Sequence, residues 1–148
     1  MTTHVASVDW SFADQPAPTS ATMHGLARNV LVGAAQGAVH TELAVTVLQP
    51  GGWLQRHFHS FEESLYILEG ELLMHLDGRA FRLEKGDFTL QPVGTWHALG
   101  NTSSAPVRRA TATRRRISGG GRPLTCAAPI AAVSARGESF PSEFVTVE

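Results

Sequence analysis

Cys126 is the sole cysteine of the 148-residue chain, so no internal disulfide can form and the thiol content says little about compartment. Long apolar runs are missing too. No window approaches the length of a membrane span, and residues 1–22 carry Asp9, Asp14, Pro16 and Pro18 where a signal peptide would carry an apolar stretch. Net charge is only −1, which removes any global electrostatic case for nucleic acid or a membrane surface. Helical periodicity is scarce, and no helix longer than two turns is evident. No Ser-His or Cys-His pair has catalytic spacing, and no phosphate-binding glycine loop is present. These absences leave a soluble, cytoplasmic protein with small-molecule partners as the expectation.

What is present points to strands. Apolar content of 43% suits one globular domain, and the length is too short for two ordinary ones. Leu26 to Val32 is β-like, and Thr41 to Leu48 alternates, with Leu43, Val45 and Val47 on one face, until Pro50-Gly51-Gly52 ends it. Short runs follow at Leu65 to Leu68, Leu72 to Leu76, Ala80 to Leu83 and Phe88 to Leu90. Gly70, Gly78, Gly86 and Gly94 stand at the predicted reversals, where positive φ excludes most side chains. Asp77-Gly78 is the strongest hairpin signal. The pattern predicts an all-β barrel or sandwich.

The chemistry gathers between Gly51 and Asn101. His57 and His59 flank Phe58, and on a strand such a pair shares one face, about 7 Å apart along it. Glu63 follows four residues after His59, and its offset favours it over the neighbouring Glu62. His97 comes after the turn Pro92-Val93-Gly94. Three imidazoles and a carboxylate suit one divalent transition metal, Fe, Mn, Ni, Cu or Zn. His75 has the parity of a surface or packing residue, and His4, His24 and His40 carry no pattern.

These residues fill two motifs. The first runs Gly51, His57-Phe58-His59, Glu63, Gly70; the second runs Gly86, Pro92, Gly94, His97, Asn101, with 15 residues between them. The stretch resembles the cupin superfamily. That resemblance implies a small cupin-type β-barrel (a double-stranded β-helix or jelly roll) with a metal inside, held by His57, His59, Glu63 and His97. It also implies a homodimer, because open faces and edge strands otherwise stay exposed. Both a single-domain cupin and the N-terminal half of a two-cupin protein remain open. In the second case Arg/Ala/Gly/Pro-rich sequence, of the kind an out-of-frame reading of a GC-rich gene gives, stands where a second barrel would begin.

Around the site, Gln55 shares parity with His57 and His59, so it is expected to face the interior and meet substrate or metal-bound water as a catalytic residue. Leu65, Ile67 and Leu99 are expected to form an apolar wall, with Phe88 or Leu90 as further candidates. Arg56 and Trp96 have the wrong parity unless a bulge re-aims them. Such a pocket suits a small organic substrate. The expected function is that of a metal-dependent dioxygenase or other oxidoreductase. A non-enzymatic ligand-binding module and a metal-dependent isomerase or hydrolase are the alternatives, because the fold does not choose among them.

The expected organisation is an arm with the first strand over 1–38, the barrel over 39–113, and a basic, flexible tail over 114–148. The closing strand, Val107 to Thr113, alternates poorly. Residues 102–148 hold seven arginines, no lysine and three acidic residues, a net of +4, whereas residues 1–101 hold five basic and ten acidic residues, a net of −5.

Overall fold

The computed structural model describes residues 4–15, 17 and 19–114. Of the expected tail, 114–148, only Arg114 is described, and it ends the last strand; residues 115–148 lie outside the described residues. Eight strands make up almost all of the regular structure: β1 (Met23–Val32), β2 (Thr41–His57), β3 (Glu63–Glu69), β4 (Glu71–Leu76), β5 (Arg79–Glu84), β6 (Phe88–Gln91), β7 (His97–Gly100) and β8 (Val107–Arg114). Two short 3-10 turns, Trp10–Asp14 and Ala34–Gln36, are the only helical elements among the described residues. Trp10 stacks on Phe12 and lies under the Arg108 guanidinium, which fastens the arm to the outside of the barrel.

The strands form one antiparallel sheet in the order β5-β4-β7-β2-β8-β3-β6, with β1 on the free side of β2. The sheet rolls up because β2 bends. Its first half, Thr41 to Leu48, pairs with β8, and its second half, from Trp53 to His57, pairs with β7. Pro50-Gly51-Gly52 therefore turns the strand and does not end it. A Cβ on Gly52 would lie 2.7 Å from Leu48 Cδ1 and 2.8 Å from the Gln49 carbonyl, so the corner closes only around glycine. The Asp77-Gly78 reversal has φ of 47° and 82°, the two positive values of a type I′ hairpin.

The inward residues change character along each strand. On β3 they run Glu63, Leu65, Ile67; on β8, from the matching end, Thr113, Thr111, Arg109, Val107. On β2 they run from Glu42 through Thr46 to Leu48. One end of the barrel is packed solid by Leu48, Ile67, Leu72, Met74 and Val107, all inaccessible to solvent, each contributing about 2 kcal/mol by burial. The other end holds a polar cavity. β8 reads poorly as an amphipathic strand because its inner face lines that cavity.

Phe88 and Leu90, expected as an apolar wall, face outward and are 76% and 55% exposed. The register Leu65↔Thr89 and Glu63↔Gln91 turns Thr89 and Gln91 inward instead, and both reach the sulfur of the core residue Met74.

Candidate metal centre

His57 ends β2, His97 opens β7, and the two are register partners, so their rings meet with centroids 4.2 Å apart. His59 lies just past β2 in the short link to β3, where its carbonyl accepts a hydrogen bond from Gly94 N and its ring stacks on Phe61. Glu63 opens β3 beneath them. One ligand-type nitrogen from each of His57, His59 and His97 falls within 4.8 Å of the others. Glu63 Oε2 is 3.3 Å from His59 Nε2 and 3.4 Å from His97 Nε2. Glu62, the competing carboxylate, is exposed to solvent.

The ring orientations are fixed from behind. His57 Nδ1 donates to the Gln55 carbonyl at 2.7 Å, and His97 Nδ1 donates to the Thr95 carbonyl at 2.9 Å. A carbonyl only accepts, so Nδ1 carries the hydrogen and the Nε2 lone pair of each ring is left facing the cluster. His97 Nε2 is buried and makes no hydrogen bond. His97 Nε2 and Glu63 Oε2 face each other across 3.4 Å, an arrangement that a proton or a metal cation between them satisfies. Nitrogen and oxygen donors each about 2.1 Å from one ion are separated by roughly this distance. The residues fit a divalent transition metal.

The protonation states agree with that fit. Burial, with His97 alongside, holds the His57 imidazole down at about 4, so the ring is neutral at pH 7. Burial would raise the Glu63 carboxyl, but the His59 and His97 imidazoles and the Arg109 charge outweigh it and hold the group well below the usual carboxylate range. A neutral His57 imidazole and an ionised Glu63 carboxylate are the ligating forms of those two residues.

Beside the cluster opens a cavity of about 230 Å³. Leu26, Leu54, Phe61 and Leu99 supply its apolar wall, and Arg28, Glu42, Thr46, Arg109, Thr111 and Thr113 its polar one. Arg28 and Glu42 form an ion pair with each other. Arg109 is 3% exposed and donates through Nε to Thr46 Oγ1 at 2.8 Å. Burial pushes its guanidinium down to about 10, and the Glu63 charge opposes that. Arg109 is a functional candidate that the sequence signals only weakly, through a charged residue in a strand, Val107 to Thr113, whose apolar alternation is poor because its inner face is polar.

Gln55 does not line the cavity. β2 and β7 shift register between Leu54↔Leu99 and His57↔His97, which puts Gln55 and Arg56 of β2 opposite the single residue Ala98 of β7. Leu54 and His57 both point inward across this bulge, so the parity that linked Gln55 to His57 is broken. Gln55 acts here through its backbone carbonyl. Arg56 lies over the Trp96 ring, itself packed on Phe58, and neither Arg56 nor Trp96 lines the cavity. His75 is a buried residue of β4, register partner of Ala98, and is not one of the clustered histidines.

The other motif residues build the frame. Asn101 donates through Nδ2 to the Leu48 and Ala105 carbonyls and accepts from Ser103 N, while its own backbone pairs with Gly51 and Gly52. The ends of the two motifs are thereby tied together at the β2 corner.

Comparison with known proteins agrees with this geometry. The family described as Cupin domain matches residues 44–110. Over 85 residues the chain is 31% identical to the tetracenomycin polyketide synthase protein TcmJ of Streptomyces glaucescens, covering 57% of each protein. Over 73 residues it is 33% identical to a gentisate 1,2-dioxygenase of a Ralstonia species, covering 49% of this chain and 21% of the enzyme. The chain thus spans little more than half, or less, of the curated relatives it matches. Among solved structures, the cupin-2 domain protein Rru_A2000 of Rhodospirillum rubrum superposes with a TM-score of 0.62 at 18% identity, over 73% of this chain and 72% of that one. The polyketide cyclase RemF of Streptomyces resistomycificus superposes with a TM-score of 0.60 at 23% identity, over 63% and 67%. At these identities the structural likenesses speak for the fold.

Proposed function

The chain belongs to the cupin superfamily, and from that premise we propose that it is a metal-dependent enzyme of the dioxygenase or oxidoreductase type acting on a small organic substrate. His57, His59, Glu63 and His97 hold the ion. The observation that carries this reading is the convergence of four ligand-type side chains, with Nδ1 of His57 and His97 tied back to the main chain, three of which (His57, His59 and Glu63) line a cavity with an apolar side. When bound, the ion supplies dioxygen activation or Lewis-acid polarisation, and zinc would support only the latter. The chain's own residues do the rest. Leu26, Leu54, Phe61 and Leu99 exclude water from one side of the substrate, and Glu63 adds a negative charge that lowers the net charge of the site.

A second reading is metal-assisted enolate chemistry of the cyclase kind, favoured by the likeness to TcmJ. Cavity size separates the two. A volume of about 230 Å³ suits a compound with one ring, below the usual range of about 300–1,000 Å³ for drug-sized ligands, and is small for a multi-ring polyketide. Dioxygen consumption by Fe(II)-loaded protein, with single-ring enolic and phenolic compounds, tests the first reading. Turnover that proceeds equally under nitrogen would transfer the assignment to the second.

Pairing into a homodimer belongs to the same reading. Tyr66, Phe88 and Leu90 lie exposed on adjacent strands of one outer face, where a second copy would cover them. Sedimentation equilibrium of wild type and of Phe88→Glu tests it. No helix among the described residues is long and apolar enough to cross a membrane.

A further inference from the structure

Arg109 is the one cation of the cavity wall whose charge the described residues leave without an ion-pair partner. Arg28 is paired with Glu42. Arg109 stands on the inner face of β8, between Thr46 of β2 and Ile67 of β3, and its side chain lines the cavity. Thr46 Oγ1 takes its Nε hydrogen, and the two terminal nitrogens make no hydrogen bond among the described residues. Glu63 attracts it across the cavity without pairing with it, and that carboxylate is already directed at the histidines.

A guanidinium in this state is costly to keep in a protein interior unless a ligand uses it. Fixing Nε to Thr46 also orients the planar group, so that the remaining nitrogens can bind a carboxylate in the bidentate way that Lys cannot reproduce. The charges of the cavity point in the same direction. Arg28 and Arg109 balance Glu42 and Glu63, so a bound divalent ion leaves the cavity at +2, which an anionic substrate offsets.

We infer that Arg109 is the specificity-determining anchor for the carboxylate of a small acid whose apolar body lies against Leu26, Leu54, Phe61 and Leu99. This deepens the functional reading above by naming the substrate class, and rests on that reading only in placing the substrate in the same cavity. The acid group meets Arg109 on one wall, which leaves its other end to face the histidine cluster.

Benzoate and its uncharged isostere benzamide test the inference by calorimetric titration. Both are titrated into chelator-treated and into zinc-loaded protein, with zinc content recorded separately. Wild type is expected to bind benzoate at least about tenfold more tightly than benzamide in both forms, since a hydrogen-bonded charge pair in a shielded site is worth that much. Arg109→Met should lose the preference and Arg109→Lys should keep only part of it. Equal affinity for the two compounds in wild type, binding of neither at millimolar concentration, or an undiminished preference in Arg109→Met would overturn the inference. If Arg109→Met fails to fold, the wild-type comparison and the Lys variant still decide. A protein that takes up no zinc yet prefers benzoate through Arg109 would sustain the anchor while removing the metal reading. Zinc uptake without that preference would do the opposite.

Discussion

His97 Nε2 and Glu63 Oε2 face each other at 3.4 Å, while His97 Nδ1 is committed to the Thr95 carbonyl. Two electron-pair donors held that close, one of them buried, are stable together only with something positive between them or beside them. The proposed metal centre rests on this relationship together with the convergence of His57, His59 and His97. It also ties together strands remote in the chain, since Glu63 opens β3 and His97 opens β7.

Removing either partner should therefore empty the site without unfolding the barrel, whose solid end is packed independently of it. His97→Ala and Glu63→Gln are each expected to weaken metal binding by at least about a hundredfold, because even indirect supporting groups cost about 10–100-fold. Gln55→Ala should leave it unchanged, since the backbone carbonyl that orients His57 remains. Metal-to-protein ratios after dialysis against a weak chelator measure this. Wild-type ratios in His97→Ala or Glu63→Gln would remove those residues from the ligand set.

Acid should destabilise the metal-free protein over a defined window. His57 is held at about 4 in the folded chain against an ordinary 6.5, so below 6.5 the unfolded chain takes up a proton that the folded one refuses. Its contribution is complete above 6.5 and is lost as the pH falls toward about 4. Glu63, held below the ordinary carboxylate range, adds a loss in the same direction at lower pH. The His57 share between pH 7.5 and pH 5 is about 2 kcal/mol by proton linkage. Urea unfolding of chelator-treated protein at the two pH values measures it, and His57→Gln should flatten the dependence. An equal slope in that variant would assign the effect elsewhere.

Two glycines of similar backbone conformation should respond differently to a methyl group. Gly70 has φ of 85°, and a Cβ there would sit 2.7 Å from the Pro106 carbonyl oxygen; Gly78 has φ of 82° with open space around it. Gly78→Ala should cost about 1–2 kcal/mol from left-handed strain alone. Gly70→Ala adds a backbone collision and should cost at least about 3 kcal/mol. Urea midpoints compare the pair, and equal losses would contradict the close approach.

The parts of this protein that show in its sequence are those where chemistry or sterics permits few residue types. His57, His59, Glu63 and His97 stand out because a metal site, as proposed here, admits few residue types at fixed spacing, and Gly70, Gly78, Gly86 and Gly94 because positive φ selects glycine. Facing was harder to see. Leu43, Val45 and Val47 form a clean apolar alternation, yet the inward residues of that strand include Glu42 and Thr46, because the interior there is a polar cavity. The same inversion hid Arg109 on β8 and turned Phe88 and Leu90 outward. Gln55 was misplaced by one bulged residue, a backbone feature that no side chain between Leu54 and His57 announces.

Anomalous diffraction from crystals of untagged, zinc-loaded protein, recorded above and below the zinc absorption edge, tests the metal centre most directly. Expected is one strong peak per chain, bounded by the Nε2 atoms of His57, His59 and His97 and by a Glu63 carboxylate oxygen, each at about 2.0–2.2 Å. A cluster without a peak, with Glu63 and the three imidazoles in the positions found here, would contradict it, as would zinc bound only at other residues.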